Sequence, residues 1–255
     1  MLNRRCEEMS LSIVIPSYKR PERVLAKHLV SDPIICVAKS EEAAYREYNP
    51  DCEIVTHPDS VKGLPPKRNW MVQHFGELFM LDDDVYEFQP QFYEQEVSSC
   101  NILSPVKTRY IIERLWTISK MLGISLFGFS KSQRPMFFKP NKPYVLSERV
   151  TGCSYGVIKS KNTFWPDGLK LKEDFWISGY IKYTERMVLI DKRYAFKQKD
   201  TFVNPGGLSS IRNKDTELEA MLQIKRYFGD CVKIKRDNTN IKNVQQINIT
   251  MTFPF

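Results

Sequence analysis

Three consecutive aspartates, Asp82 to Asp84, directly follow the apolar segment 77–81. A short apolar run of this length is typical of a buried strand. Adjacent carboxylates repel one another, and a hard divalent cation with oxygen ligands offsets that repulsion. Ligands of open α/β sheets bind beyond the carboxyl ends of the strands. If the strand belongs to an α/β sheet, the triplet therefore predicts a metal and ligand site at this end of the strand.

The pattern around the triplet alternates between strands and helices. Predicted strands lie at 11–15, 34–38, 53–56, 77–81, 124–129, within 144–158, at 187–196 and within 231–252, and predicted helices lie at about 17–28, 41–48, 67–75, 107–122, 172–183 and 215–228. Such alternation favours a mostly parallel, doubly wound central sheet. Because the chain has no internal repeat and no Gly/Ser linker, we predict one domain over residues 1–255.

Composition excludes several classes of protein. The chain is 42% hydrophobic, which is too apolar for a natively unfolded protein. Its apolar runs, such as 13–15 and 78–81, fall far below the roughly 20 residues that cross a bilayer, and Glu7 and Glu8 stand where a secretory signal would be apolar. The six cysteines form no C-x-x-C pair. We therefore expect a cytoplasmic protein with reduced thiols and no membrane partner.

Charge is distributed unevenly along the chain. Residues 1–100 carry 11 Lys and Arg against 17 Asp and Glu, whereas residues 101–255 carry 27 against 13. Clustered cations bind polyanions because they release phosphate counterions. The second part is thus a candidate surface for a nucleic acid, although a basic surface with no partner is an open alternative.

Four motifs in order resemble a nucleotide-sugar glycosyltransferase of the GT-A fold. They are Ser12-Ile-Val-Ile-Pro-Ser-Tyr-Lys-Arg-Pro21, Gly63-Leu-Pro-Pro-Lys-Arg-Asn-Trp70, the D-x-D of the aspartate triplet, and Glu173-Asp174. More narrowly, the chain resembles the small phage enzymes that glycosylate hydroxymethylated DNA bases, relatives of the glycosyltransferases associated with base-hydroxylating dioxygenases. The resemblance implies a GT-A-like single domain, with a nucleotide-sugar-binding half at about 11–100 and a smaller acceptor-binding half at about 101–255.

The resemblance also assigns donor and metal ligands. Asp82 and Asp84, which share one face in an extended stretch, would hold Mn²⁺ or Mg²⁺ on the donor diphosphate, with Asp83 near the ribose or sugar. A helix start suits a diphosphate through its N–H groups and cationic side chains. The donor, expected to be a UDP-sugar, would contact Pro16, Ser17, Tyr18, Arg20, Lys67, Arg68, Asn69 and Asp83.

Glu173 and Asp174 are the candidate catalytic residues. Neighbours on a helix point about 100° apart, so one carboxylate is expected to face the reacting centre. We expect Asp174 to be the general base of an inverting transfer, with Glu173 as the reserve candidate. If the enzyme retains the anomeric configuration, neither needs to act as a base, and Asp174 has a positioning role.

One feature departs from the family pattern. A late histidine often supplies a third metal ligand, but His28, His57 and His74 all precede the D-x-D. The late segment 204–212 instead offers glycines that let backbone amides approach a phosphate, or a simple turn before a helix. Its candidate donor contacts are Gly206, Gly207 and Arg212.

The candidate acceptor surface combines cations with aromatic rings, as proteins that bind single strands or flipped bases do. Its cations are Lys131, Arg134, Lys139, Lys142, Lys192, Arg193 and Lys197. The expected acceptor is the hydroxyl of a hydroxymethylated pyrimidine in DNA, in the host cytoplasm if a phage encodes the enzyme, with no obligate protein partner.

Three alternatives compete with this interpretation. A phosphatase that uses an Asp-x-Asp motif would need Thr or Val where Tyr86 stands. A glycosyltransferase for carbohydrate or lipid-linked acceptors would be expected to carry a membrane-binding apolar helix. A non-catalytic nucleic-acid-binding module would leave the acidic triplet unexplained.

Overall fold

The computed structural model of the chain describes residues 11–92, 103–199, 212–236 and 247–253. Its strands are β1 (Ser12–Pro16), β2 (Ile34–Ala38), β3 (Glu53–His57), β4 (Glu77–Leu81), β5 (Val85–Pro90), β6 (Leu126–Phe129), β7 (Tyr144–Val145), β8 (Ser154–Ile158), β9 (Leu189–Asp191), β10 (Tyr194–Gln198), β11 (Val232–Arg236) and β12 (Ile247–Met251). Eight of them form one sheet in the order β3-β2-β1-β4-β8-β6-β9-β7. The pairs β5–β10 and β11–β12 form two small antiparallel sheets.

Parallel pairing predominates in the large sheet. Strands β3, β2, β1 and β4 run parallel to one another, and β6 runs parallel to β9. β8 is antiparallel to both of its neighbours, and β7 is antiparallel at the edge. The prediction of a mostly parallel α/β sheet is confirmed.

Helices cover both faces of this sheet, as predicted for a doubly wound fold. They are α1 (Glu42–Tyr48), α2 (Leu64–Phe75), α3 (Pro105–Leu122), α4 (Glu173–Glu185) and α5 (Lys214–Phe228). Buried side chains of α1 and α3 pack in one core, and those of α2, α4 and α5 pack in the other. Among the described residues, no helix is both long and apolar enough to cross a membrane.

The central strands supply side chains to both cores in turn. In β1, Ile13 and Ile15 face the α1/α3 side, whereas Val14 faces the α2 side, and all three are fully buried. A strand covered on both faces needs apolar residues at every position. This is why the segments 13–15 and 78–81 are uninterrupted apolar runs.

The structure corrects three predictions of local structure. The segment after β1 is not a regular helix but two short 3₁₀ turns, Pro21–Arg23 and Leu25–His28. The predicted strand 187–196 is two strands, because β9 ends in the large sheet and β10 pairs with β5, a strand that the sequence analysis missed. α2 begins at Leu64 rather than Lys67, since prolines fit the first helical turn.

The sheet topology brings distant loops to one edge. β6 is separated from β4 by the antiparallel strand β8, so β4 and β6 point the same way. β9 runs parallel to β6. The carboxyl ends of β1, β4, β6 and β9 therefore lie at the same edge, where ligands of such sheets bind.

Candidate active site

The aspartate triplet forms a tight turn at this edge. Asp82 N–H donates to the Cys153 carbonyl at 2.8 Å, and Val85 N–H donates to the Asp82 carbonyl at 3.2 Å. The backbone is thus turned, not extended as the sequence analysis assumed, so the argument that Asp82 and Asp84 share a face by strand alternation was wrong. The three carboxylates instead have three separate sets of partners.

Asp83 faces the loop after β1. It accepts hydrogen bonds from Ser17 Oγ at 2.6 Å and from Arg20 Nη1 at 3.2 Å. Ser17 Oγ also lies 2.7 Å from the Tyr45 hydroxyl, which accepts from Arg20 N–H at 3.1 Å. Burial raises the pKa of Asp83, while Ser17 and Arg20 oppose that shift. The aspartate thereby fixes the predicted donor loop, whose Lys19 has a left-handed φ of 55°.

The predicted donor residues are close together but differ in exposure. Tyr18 is 44% exposed, whereas Pro16 and Ser17 are buried. Lys67 Nζ, near the start of α2, donates to the Ser17 carbonyl at 2.8 Å. Burial lowers the pKa of Lys67, and Cys36, Glu41 and Asp83 oppose this. The predicted donor loop thus carries an exposed ring, and a lysine side chain binds its backbone from below.

Arg68 lies beneath the triplet rather than at the surface. Its side chain is fully buried, and Nη2 lies 3.4 Å from both Asp82 Oδ1 and Glu173 Oε1. Nη2 also donates to the Gly152 carbonyl at 3.1 Å, and the guanidinium lies 4.8 Å from the centre of the Tyr155 ring. This arrangement links α2, the triplet and α4, and it leaves Arg68 no direct access to solvent.

Asp84 faces the second sheet. Its Oδ1 accepts a hydrogen bond from Gln198 Nε2, in β10, at 2.8 Å. Burial raises the pKa of Asp84 to about 6, and burial raises that of Asp82 well above its ordinary value although Arg68 opposes it. Sequence reasoning missed Gln198, because no motif surrounds it.

These carboxylates fit a divalent cation that completes its coordination on the substrate. Asp82 and Asp84 are hard oxygen donors close enough for the charge of Asp84 to raise the pKa of Asp82. No group of three or more His, Cys, Asp and Glu with metal-ligand geometry occurs in the described part of the chain. Mg²⁺ is commonly bound by one or two carboxylates plus substrate phosphates, so two aspartates suffice for that kind of site.

The two candidate catalytic carboxylates begin α4. Asp174 pairs with Arg149, whose guanidinium lies 4.0 Å from the centre of the Phe175 ring. Glu173 is buried against Arg68, and burial raises its pKa. Lys172, just before the helix, has a left-handed φ of 63° and pairs with Glu217 at 3.0 Å. Of the two carboxylates, Asp174 is the one nearer to solvent, with 13% of its side chain exposed against 8% for Glu173.

The other predicted donor contacts have structural partners. The Asn69 amide donates to the Trp165 carbonyl at 2.7 Å and accepts from Trp165 N–H at 2.8 Å. Arg212 pairs with Glu217 at 3.1 Å. Gly206 and Gly207 lie outside the described residues.

The predicted acceptor cations fall into two sets. Lys131, Arg134, Lys139 and Lys142 are exposed on the loop 130–143 that follows β6, beside Met136 and Phe137, which are 75% and 57% exposed. The other three pair with acidic side chains: Lys192 with Glu148 at 2.7 Å, Arg193 with Asp191 at 2.6 Å, and Lys197 with Glu87 at 2.9 Å. The second set therefore adds less net charge than the sequence suggested.

Comparison with known proteins identifies the class. The family described as TET-Associated Glycosyltransferase matches residues 11–207, a range that includes the donor loop, the triplet and α4. The fold and the candidate site are accordingly those of a glycosyltransferase. Since the match covers most of the chain, the protein belongs to the TET-associated glycosyltransferase family. The phosphatase and the non-catalytic module are thereby excluded.

Two individual proteins are similar to this chain. The Beta-glucosyl-HMC-alpha-glucosyl-transferase of Enterobacteria phage T6 is 24% identical over 246 residues, covering 89% of this chain and 85% of that protein. The crystal structure of S. aureus TarS 1-349 has 12% identity and a TM-score of 0.49. That alignment covers 87% of this chain, which spans 66% of the TarS chain.

Proposed function

We propose that this glycosyltransferase moves a sugar from a nucleotide-sugar, with a UDP-sugar as the expected donor, to the hydroxyl of a hydroxymethylated pyrimidine in DNA. The observation that carries the proposal is the acidic turn at the sheet edge, which adjoins the donor loop on one side and α4 on the other. The name of the phage T6 relative, which specifies an HMC acceptor, supports the DNA part.

In this mechanism the donor lies over the loop after β1. The exposed Tyr18 ring can stack on the nucleobase, and Lys67 supplies positive charge beneath the loop. Asp83, oriented by Ser17 and Arg20, accepts hydrogen bonds from ribose or sugar hydroxyls. Arg68 and Asn69 position other groups and do not contact the donor. Arg68 orients Asp82, and Asn69 holds the backbone at Trp165.

Asp82 and Asp84 would hold Mn²⁺ or Mg²⁺ beside the donor diphosphate. When bound there, such a cation offsets the negative charge that grows on the departing nucleotide. Gln198 orients Asp84 through a hydrogen bond, and the Arg68 guanidinium lies beside Asp82. The site therefore combines fixed anionic ligands with a nearby buried cation.

Asp174 takes the proton from the acceptor hydroxyl in this proposal, and its ion pair with Arg149 supports a fixed orientation of the carboxylate. The relative's name specifies an alpha-glucosyl product. If this chain likewise forms an α-linkage from an α-linked donor, configuration is retained, and Asp174 positions the acceptor instead of acting as a base.

A second candidate acceptor is a hydroxymethylated base that already bears a sugar. The phage T6 relative is named for a beta-glucosyl-HMC acceptor. A sugar hydroxyl could occupy the same position next to Asp174, with the DNA contacts unchanged. The two acceptors differ only in how far the target hydroxyl extends from the base.

The test is an assay of transfer with defined substrates. Protein and Mn²⁺ are incubated with a panel of nucleotide-sugars and with four acceptors: unmodified DNA, hydroxymethylcytosine DNA, its β-glucosylated form, and soluble oligosaccharides. Nucleotide release and the mass of the digested nucleosides are followed. The proposal expects a hexose or pentose mass added to modified DNA only, and transfer to oligosaccharides alone would overturn it.

A further inference from the structure

A cleft of about 420 Å³ opens between α4 and β12, and one of its lining residues, Arg149, pairs with the candidate catalytic residue Asp174. Its walls come from the start of the loop 130–143, the segment 147–149, the α4 face from Phe175 to Lys182, and the segment 249–253. Three cations line it: Lys131, Arg149 and Lys182. None of the residue assignments drawn from sequence motifs identifies this cleft, and of its cations they include only Lys131.

The charge balance of the cleft is positive. Its only lining carboxylate among the described residues, that of Glu148, pairs with Lys192, and Arg149 pairs with Asp174. No carboxylate of the described residues lies within 4 Å of the Lys131 or Lys182 ammonium. Burial lowers the pKa of Lys182, and Lys131 and Arg149 lower it further while Glu148 opposes them. Converging cations of this kind are stabilised by a bound anion.

We propose that this cleft is a phosphate subsite that binds a phosphodiester of the acceptor strand through Lys131, Arg149 and Lys182. The inference rests on the proposed DNA acceptor. Arg149 contacts Asp174 directly, so a phosphate bound by this arginine lies one side chain away from the reacting centre. The subsite thus fixes the backbone next to the target nucleotide.

Two other ligands fit the cleft less well. A neutral sugar would need exposed ring faces, but Phe175 is 7% exposed and covered by Arg149, and the Lys182 ammonium lies 6.0 Å from the centre of the Phe253 ring. The donor diphosphate belongs on the other side of the triplet, at the loop fixed by Ser17 and Lys67. A phosphodiester matches three cations and the hydroxyls of Ser147 and Thr250 in one cleft.

The first measurement is the binding of a single-stranded oligonucleotide with one hydroxymethylcytosine, followed by fluorescence anisotropy over a range of KCl. Lys131→Ala and Lys182→Ala should each raise Kd about tenfold, because each removes a charge-assisted contact. Each should also reduce the slope of log K against log salt by about 0.7. The matched control is Lys161→Ala, an exposed lysine that follows β8 at the opposite edge of the sheet, and it should change neither quantity.

The second measurement locates the phosphate. Phosphodiesters near the target base are replaced one at a time by uncharged methylphosphonates. At one position the replacement should weaken binding by the wild type but not by Lys182→Ala, since the two changes remove the same contact. Acceptor KM should rise in the variant while donor KM stays constant.

The outcomes separate this subsite from the proposed function. Wild-type transfer to modified DNA with Kd and salt slope unchanged in both variants overturns the subsite and leaves the function intact. A rise in donor KM instead of acceptor KM assigns the cleft to the donor and also overturns it. Oligonucleotide binding that depends on Lys182, without any sugar transfer to DNA, supports the phosphate subsite and overturns the proposed acceptor.

Discussion

Asp84 differs from its two neighbours in the triplet because it faces an amide and not an arginine. Gln198 donates to it at 2.8 Å, whereas Asp82 and Asp83 each lie within 3.4 Å of a guanidinium. Asp84→Asn keeps the shape of the side chain and removes one of the two carboxylates proposed to hold the cation. We expect transfer to fall by about 10³-fold, since several kcal/mol of charge stabilisation is lost, while the melting temperature changes little.

The Asp84 prediction is measured by turnover against Mn²⁺ concentration. Asp51→Asn, an exposed carboxylate before β3, is the matched control and should retain wild-type turnover. Full turnover of metal-stripped wild type in EDTA would contradict a cation at this site.

Substitution of Asp174 distinguishes a role as general base from a role in positioning the acceptor. If it is the base, Asp174→Asn should keep donor affinity and lower the single-turnover rate by about 10²-fold or more. Arg149→Gln should then lower the same rate, because the arginine fixes the orientation of the carboxylate. Single-turnover kinetics and the anomeric configuration of the product, by NMR, are measured together. An unchanged rate with a retained configuration would assign Asp174 a positioning role.

The sequence predicted the residues of the site better than their contacts. Asp82 to Asp84 could be recognised because adjacency and a preceding apolar strand are local signals. Arg149 and Gln198 could not, since each meets its partner only through the fold and no motif surrounds either residue. Arg68 has the residue type expected for phosphate binding, and only packing reveals that it is buried.

At the scale of elements, β8 depends on a glycine beneath an aromatic ring. Gly156 lies in register with Phe79 on one side and Phe127 on the other. A Cβ at this position would lie 2.0 Å from the Phe127 ring. Gly156→Ala should therefore destabilise the fold by about 3 kcal/mol through overpacking, which corresponds to a fall in melting temperature of about 6–12 °C.

The control for this prediction lies in the neighbouring strand. A Cβ at Gly128 in β6 would meet its nearest atom, in Val150, at 3.4 Å, so Gly128→Ala should cost much less. Thermal unfolding is measured for both variants and for the double variant Gly156→Ala with Phe127→Leu, in which a smaller aliphatic side chain replaces the aromatic ring. Equal melting temperatures for the two alanine variants would refute the close packing of β8 on β6.

Elements were predictable where burial produces a clear pattern. The four parallel strands, β1 to β4, contain apolar runs or several β-branched residues, and all four were predicted from the sequence. β5 has only three buried side chains, Val85, Phe88 and Gln89, one of them polar, so no period identifies it as a strand. The division of 187–196 between two sheets depends on this missed strand, because β10 pairs with β5.

At the scale of the whole molecule, the fold determines where part of the excess positive charge lies relative to the aspartate triplet. The part of the chain after residue 100 carries 27 Lys and Arg against 13 Asp and Glu. The sheet topology places the loop 130–143 at the same edge as the triplet. A polymeric acceptor can therefore contact several exposed cations while its target base reaches the site.

The last prediction compares exposed cations with a paired one, a difference in contribution to acceptor binding that the sequence alone does not reveal. Arg134 and Lys139 are exposed on the loop 130–143, whereas Lys197 already pairs with Glu87 at 2.9 Å. Charge reversal at Arg134 or Lys139 should raise the acceptor KM more than reversal at Lys197, because an exposed cation contributes its full charge to a polyanion.

The control for net charge is Lys62→Glu, which reverses the charge of an exposed residue in the acidic half of the chain. Acceptor KM is measured at several KCl concentrations with modified DNA, and donor KM is measured in parallel. If all four reversals raised the acceptor KM equally, net charge alone would explain binding, and the loop would lose its assigned role as the acceptor surface.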